Sequence, residues 1–468
     1  MSKYITKKLE LFFLNKSIPS QQFHLTILFK ILTTYYCQFE KYISGFLVSI
    51  IVFFPSTGKL YSFLPSRTLS LAFLLILLFR EWRIIKLPKK IDFSFFKKNI
   101  TFISILIFLG FILFSANQSQ YDYFLNVGEW LNHRDHYVDA KLVKLSLSIF
   151  PSLICIYFLA SIENTEDIQN FCVGLMAGFL ICALILLTKI STHLFVIASS
   201  DYMTSRSFYV DKDKAFSIVS SSPIIASASA ILFTYFEKSF SKSKFSLRTV
   251  ILFTVFIFCI LNLYWLKQRA DFIICVGLII YYSICKCIES KKFQTFMPFI
   301  FALFIVIAIF CYFKSSLQSS YWSDLLELQN SSGVSSRLDA FYDCFNNFEP
   351  RLEQLGTILF GNGLGSFFYL NPNLHYPHNI LLEALYEVGL FSFLIVLFLT
   401  LASMLYALRI IAKSKSLAFI SCSFIFFSFI IHSFKSDDFS SLGQYFFLIL
   451  LLSTLNEYSK KQKIYREK

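Results

Sequence analysis

Apolar residues run in long blocks through this chain, and polar residues gather between them. The blocks fall at about residues 42–54, 67–80, 100–116, 142–161, 168–188, 215–236, 248–266, 270–286, 293–313, 389–411, 416–433 and 442–457. A helix that crosses a bilayer upright needs about 20 apolar residues, so most of these blocks predict membrane-spanning helices. The first two are short, and could instead form one re-entrant pair. The block at 215–236 is rich in serine (Ser217, Ser220, Ser221, Ser222, Ser227, Ser229). Small hydroxyl residues suit close helix packing or a cavity wall better than a lipid-facing surface. One polar stretch, about 314–377, is too long for a simple connector, and its Leu, Phe, Tyr and Trp content predicts short helices folded over one face of the membrane.

The expectation is an all-α polytopic membrane protein with about 12 transmembrane helices. It divides into an N-terminal segment 1–41, helices over 42–313, a loop over 314–388, helices over 389–457 and a tail 458–468. Composition agrees: 56% of residues are hydrophobic, 15% are charged and the mean hydropathy is +0.61. A water-soluble domain averages about 45–50% apolar and about 25% charged, so this excess exceeds what one water-facing core can hide. Nearly all of the 11 cysteines sit inside apolar blocks, where they act as small hydrophobes, and Cys344 alone falls in the loop. No disulfide framework is legible. Lys7, Lys8, Glu10 and Lys16 interrupt any apolar leader, so the N-terminus is expected to be retained.

The net charge of +14 comes from 43 Lys and Arg against 29 Asp and Glu. These charges punctuate the apolar blocks instead of clustering with stacking aromatics, which argues against a nucleic-acid partner. With the N-terminus inside, roughly 28 basic residues fall on the inner side and roughly 14 on the outer, which supports both termini inside and the long loop outside.

Three groups of residues could carry chemistry. Arg269, at a very short outer turn between two apolar blocks, needs an anionic partner; Asp271 could supply one, and a plain topogenic arginine is the alternative. The segment Ser335-Ser336-Arg337-Leu338-Asp339 is followed by Gly361-Asn362-Gly363-Leu364-Gly365 and then by His375-Tyr376-Pro377-His378-Asn379. The glycine run lacks the Lys-Ser/Thr of a phosphate loop and reads as a tight turn that allows close backbone approach. His378 precedes a helix, where it could be a general base, an anchor or an inert interfacial residue. Glu383 and Glu387, four apart, share one helical face and could orient His378 or pair with an arginine. Asp211-Lys212-Asp213 matches a two-aspartate metal pattern only formally, with lysines around it, so neither a metal nor a cofactor is expected.

Taken together, the stretch from Arg337 to Gly389 resembles the bacterial O-antigen ligase and O-antigen polymerase family. An Arg-led segment precedes a Gly-rich turn, a Pro-His-Asn and a helix closing on Gly389, with nine residues between His378-Asn379 and that glycine, the spacing associated with ligases. Gln268-Arg269 ahead of an apolar block resembles the family's outer-face arginine. The resemblance implies a multi-pass enzyme of the bacterial inner membrane with a helical periplasmic loop and a periplasmic active site. Its donor would be a glycan linked to undecaprenyl pyrophosphate, and its acceptor lipid A core (ligase) or another lipid-linked glycan (polymerase). His378, Arg269 and Arg337 would be catalytic, and Arg206, His375, Asn379 and Glu383 would contribute to substrate binding. The alternative of another class is a flippase or transporter for such lipids, which should place charges deep within several spans.

Overall fold

Apolar blocks of this length can satisfy their backbone groups in lipid only by pairing them internally. The computed structural model describes residues 40–57, 71–78, 100–118, 134–160, 162, 165–199, 218–242, 246–265, 269–290, 300, 341–342, 344, 355–367, 377, 379–435 and 439–467, and among these there are helices and turns but no strand. The helices are α1 (40–53), α2 (71–78), α3 (Ile100–Gln118), α4 (Arg134–Ala160), α5 (Thr165–Ser199), α6 (Ile218–Lys242), α7 (Leu247–Trp265) and α8 (Arg269–Ser290). They continue with α9 (Leu355–Phe360), α10 (Ile380–Glu383) running into a π-helical turn (Ala384–Val388), α11 (Leu390–Lys413), α12 (Leu417–Lys435) and α13 (Leu442–Glu467).

Among the described residues four helical stretches are long and apolar enough to cross a membrane: Glu166–Thr188, Ala270–Ser290, Leu390–Lys413 and Leu417–Phe434. The protein is therefore a membrane protein, all-helical over its described residues. Ile100–Ala116 and Leu247–Leu263 are shorter apolar helices, and the block expected at 293–313 lies outside the described residues apart from residue 300. Several helices outrun the apolar blocks that predicted them. No glycine or proline interrupts the chain between residues 189 and 199, so α5 continues to Ser199. The segment set aside as a tail at 458–468 is helical as far as Glu467.

Packing sorts the helices into inner and lipid-facing positions. The Leu417–Phe434 stretch of α12 is 83% buried against 33% for α11. On α11, Phe391, Leu394, Phe398, Leu401 and Leu405 form an exposed stripe at three- and four-residue spacing. An apolar stripe of that kind on a membrane helix meets lipid. The serine-rich α6 lies inside, as its composition predicted, with Ser222, Ser227, Ser229, Ala226, Ala228 and Ala230 all buried. Ser227 and Ser229 donate to the carbonyls of Pro223 and Ile225 at 2.7 and 2.8 Å, so their hydroxyls need no lipid-side partner.

Where α1 crosses α5, the backbones touch. A Cβ on Gly45 would overlap the Phe171 carbonyl, one on Gly174 would overlap the Tyr42 carbonyl, and one on Gly178 would meet the Cβ of Ser49 at 2.9 Å. Gly174 and Gly178 are one small-xxx-small pair and Gly45 and Ser49 the other. Replacing Gly174 by valine is expected to destabilise the protein by about 1–3 kcal/mol through overpacking. Thermal unfolding of the detergent-purified variant reads that loss, and an unshifted midpoint would contradict the crossing.

Contacts along the helices fix their directions. Thr101 meets Ser453 at 3.3 Å and the Phe108 ring meets those of Phe439 and Phe446, so α3 runs antiparallel to α13. The Gly443 amide donates to Ser148 and Tyr458 donates to the Ile162 carbonyl, so α4 runs parallel to α13. The Phe391 ring at the start of α11 stacks on that of Phe111 in the second half of α3, and in α8 Tyr281 donates to the Leu408 carbonyl of α11 while the Tyr282 ring meets Phe424 of α12. The end of α3 and the starts of α4, α11 and α13 thus gather at one end of the bundle.

Candidate functional site

That end of the bundle holds the short helix that opens on the Pro-His-Asn motif. Asn379 is its N-cap in extended conformation, and its side-chain oxygen accepts from the amides of Leu381 and Leu382 at 2.9 and 3.2 Å. Such a cap satisfies two otherwise orphaned donors and contributes about 1 kcal/mol. After one α-helical turn the backbone widens into the π-helical turn Ala384–Val388, a geometry that recurs at functional sites. Gly389 then breaks it at φ 97° before α11 begins.

A helix end leaves carbonyls without partners, and here the Gly-rich turn supplies them. The Asn362 amide and side chain donate to the Tyr386 carbonyl at 2.9 and 3.1 Å. The Gly363 amide and the Ser115 hydroxyl donate to the Glu387 carbonyl at 3.1 and 2.6 Å. The Leu364 amide reaches the Ser115 carbonyl at 3.3 Å, which ties the turn to the end of α3 as well. Two glycines make this fit possible: a Cβ on Gly361 would overlap the Glu387 carbonyl, and one on Gly389 would overlap the Leu359 carbonyl and sit 2.6 Å from the Gly361 nitrogen. The amides of Asn362, Gly363 and Gly365 all point into the protein, so the run is a docking turn and does not present a phosphate loop. Beneath it, Phe367 and Tyr386 meet edge to face at 6.0 Å and pack with Cys344 and Leu382.

Both glutamates of the helix are fully buried, and each is held from the bundle side. Lys141, in the second turn of α4 and ahead of the apolar block that begins at residue 142, places its ammonium 2.5 Å from Glu383 Oε1 and 2.6 Å from Glu387 Oε2. Glu387 Oε2 also accepts from the Gly365 amide at 2.9 Å, and Glu383 Oε2 from the Phe439 amide at 2.9 Å. The Lys141 ammonium lies 5.4 Å above the Phe439 ring. Burial works against the charge on Lys141, and the two carboxylates outweigh it, holding the ammonium above the ordinary lysine range.

The remaining residues singled out by the sequence divide into two groups. Arg269 is the first residue of α8. Two residues on, Asp271 is buried and accepts from Ser222 at 2.7 Å. Arg206, Arg337, His375 and His378 lie outside the described residues, although Pro377 and Asn379, on either side of His378, are described. Glu383, expected from the resemblance to contribute to substrate binding, is enclosed and engaged by Lys141 and Phe439.

No family model matches this sequence, and no curated protein does. Lys141 is the participant that sequence reasoning missed. It stands one residue before an apolar block, where a lysine reads as topogenic, and its partners lie 242 and 246 positions further on. The paired glutamates were the one visible signal, since two carboxylates on one helical face ask for a cation.

Proposed function

We propose that the protein is a membrane glycosyltransferase that moves a glycan from undecaprenyl pyrophosphate onto an acceptor hydroxyl, acting as an O-antigen ligase on lipid A core. One observation carries the reading beyond the resemblance: the two halves of the family-like motif, the Gly-rich turn 361–365 and the helix from Asn379 to Gly389, dock on each other backbone to backbone. The chain would cross the bacterial inner membrane about 12 times with both termini in the cytoplasm and the site on the periplasmic side.

In this reaction the bond between the donor sugar's anomeric carbon and the pyrophosphate oxygen breaks as the acceptor oxygen bonds to that carbon. His378 takes or orients the acceptor proton. Negative charge develops on the departing lipid pyrophosphate, and guanidinium groups match phosphate oxygens with paired hydrogen bonds while staying charged, which suits Arg269 and Arg337. Arg206 and His375 are the substrate-side candidates, and Asn379 and Glu383 hold the helix that follows His378 in sequence.

Deleting the gene and running the surface polysaccharide on a gel tests this. A ligase defect strips polymer from lipid A core while lipid-linked polymer remains. Single repeats left on the core would reassign the protein to the polymerase branch, which shares the donor and differs in acceptor. Unchanged polysaccharide would overturn both.

A further inference from the structure

We propose that Lys141 is a positioning residue: one ammonium from α4 clamps Glu383 and Glu387 and so fixes the short helix that begins directly after His378 in sequence. The proposal rests on the reading of His378 given above for its link to catalysis, while the clamp itself stands on geometry alone. Glu383 follows the cap residue Asn379 by four positions, about one helical turn or 6 Å along the axis. Holding Glu383 therefore holds Asn379, to which His378 is bonded. A single contact would still let the short helix rotate. The second, to Glu387 one turn further, removes that freedom, because both carboxylates must face the same nitrogen at 2.5 and 2.6 Å.

The rest of the cluster shows why the cation matters. The short helix is only four residues before it widens, too short to be stable alone. Its far end is docked by the Gly-rich turn, whereas its near end meets the bundle through Glu383, to Lys141 and the Phe439 amide. Two buried carboxylates facing each other across one turn repel without a cation between them. Without Lys141 the near end keeps only the Phe439 amide on Glu383 and the buried Ile380 side chain, while the far end stays docked, so the segment is expected to loosen at its N-terminal end, next to His378 in sequence. A displacement of about 1 Å at a reacting group can cost about 100-fold in rate.

The test uses the full chain in lipid nanodiscs and three variants. In Lys141→Met, amide hydrogen exchange over 380–388 is expected to rise about tenfold while α11 and α12 keep their protection. Lys141→Arg, which restores the charge, is expected to keep slow exchange. With lipid-linked glycan as donor, Lys141→Met should lower kcat about 100-fold and leave the donor KM within about threefold, because the cations assigned to pyrophosphate are elsewhere. His378→Ala runs beside it as the control on the function. Unchanged exchange over 380–388 overturns the clamp. Faster exchange with normal kcat, while His378→Ala is inactive, overturns the positioning role and leaves the proposed reaction standing. An active His378→Ala overturns the proposed reaction, and exchange alone then decides the clamp. Should Lys141→Met not accumulate, Lys141→Met with Glu387→Gln leaves a single unpaired carboxylate, and the same rise in exchange is expected of it.

Discussion

Alanine at Gly389 is expected to cost about 3 kcal/mol or more, the largest loss of stability foreseen for any single methyl group added to this site. Two penalties combine. The backbone there has φ 97°, which an L-residue adopts only with strain, and the new Cβ would overlap the Leu359 carbonyl and press on the Gly361 nitrogen. The chain cannot relax by moving Gly361, because Gly361 is itself at φ 79° against the Glu387 carbonyl. Relief would have to come from undocking the whole turn 361–365, which would release its hydrogen bonds to Tyr386 and Glu387. Thermal unfolding of the purified variant measures the loss, and exchange over 361–367 and 384–388 should rise together. A variant with a native melting temperature would mean that the two segments are not docked as described.

Replacing His378 by alanine is expected to lower glycan transfer by about 10²–10⁴-fold, the usual contribution of a positioned general base. Asn379 continues to cap the helix in that variant, so the amount of protein in the membrane should be unchanged. Arg269→Ala is expected to fall in the same range, since it removes a fixed cation from the departing pyrophosphate. The two losses differ in kind: the histidine's should lessen when the acceptor is a better nucleophile, and the arginine's should not. The measurement is transfer of radiolabelled lipid-linked glycan in membranes matched for protein. Near-native transfer in both variants would remove this constellation from the chemistry.

Helical character was legible because apolar blocks of this length leave lipid-exposed backbone no other solution, and serine-rich α6 was legible as an inner helix for the same kind of reason. The helix from Asn379 to Gly389 and the close approach allowed by the Gly-rich turn were also readable, because capping residues and glycines act locally. Two further features left no trace in local propensity. Widening of Ala384–Val388 into a π-helical turn follows from its docking partners, and the pairing of Lys141 with Glu383 and Glu387 joins residues more than 240 positions apart. The seam between α1 and α5 did leave a mark in the spacing of Gly174 and Gly178, which becomes meaningful only once Gly45 and Ser49 are seen opposite them.

Most of what attaches the Gly-rich turn to the bundle is written in carbonyl oxygens and amide hydrogens, atoms that every residue except proline possesses. Mutation can therefore exchange the bulky neighbours of Gly361 and Gly389 many times over without unfastening the joint, so long as those two positions stay bare. A lineage using this attachment is free to drift until little of its text is shared, and kinship would then have to be sought in where the chain touches itself.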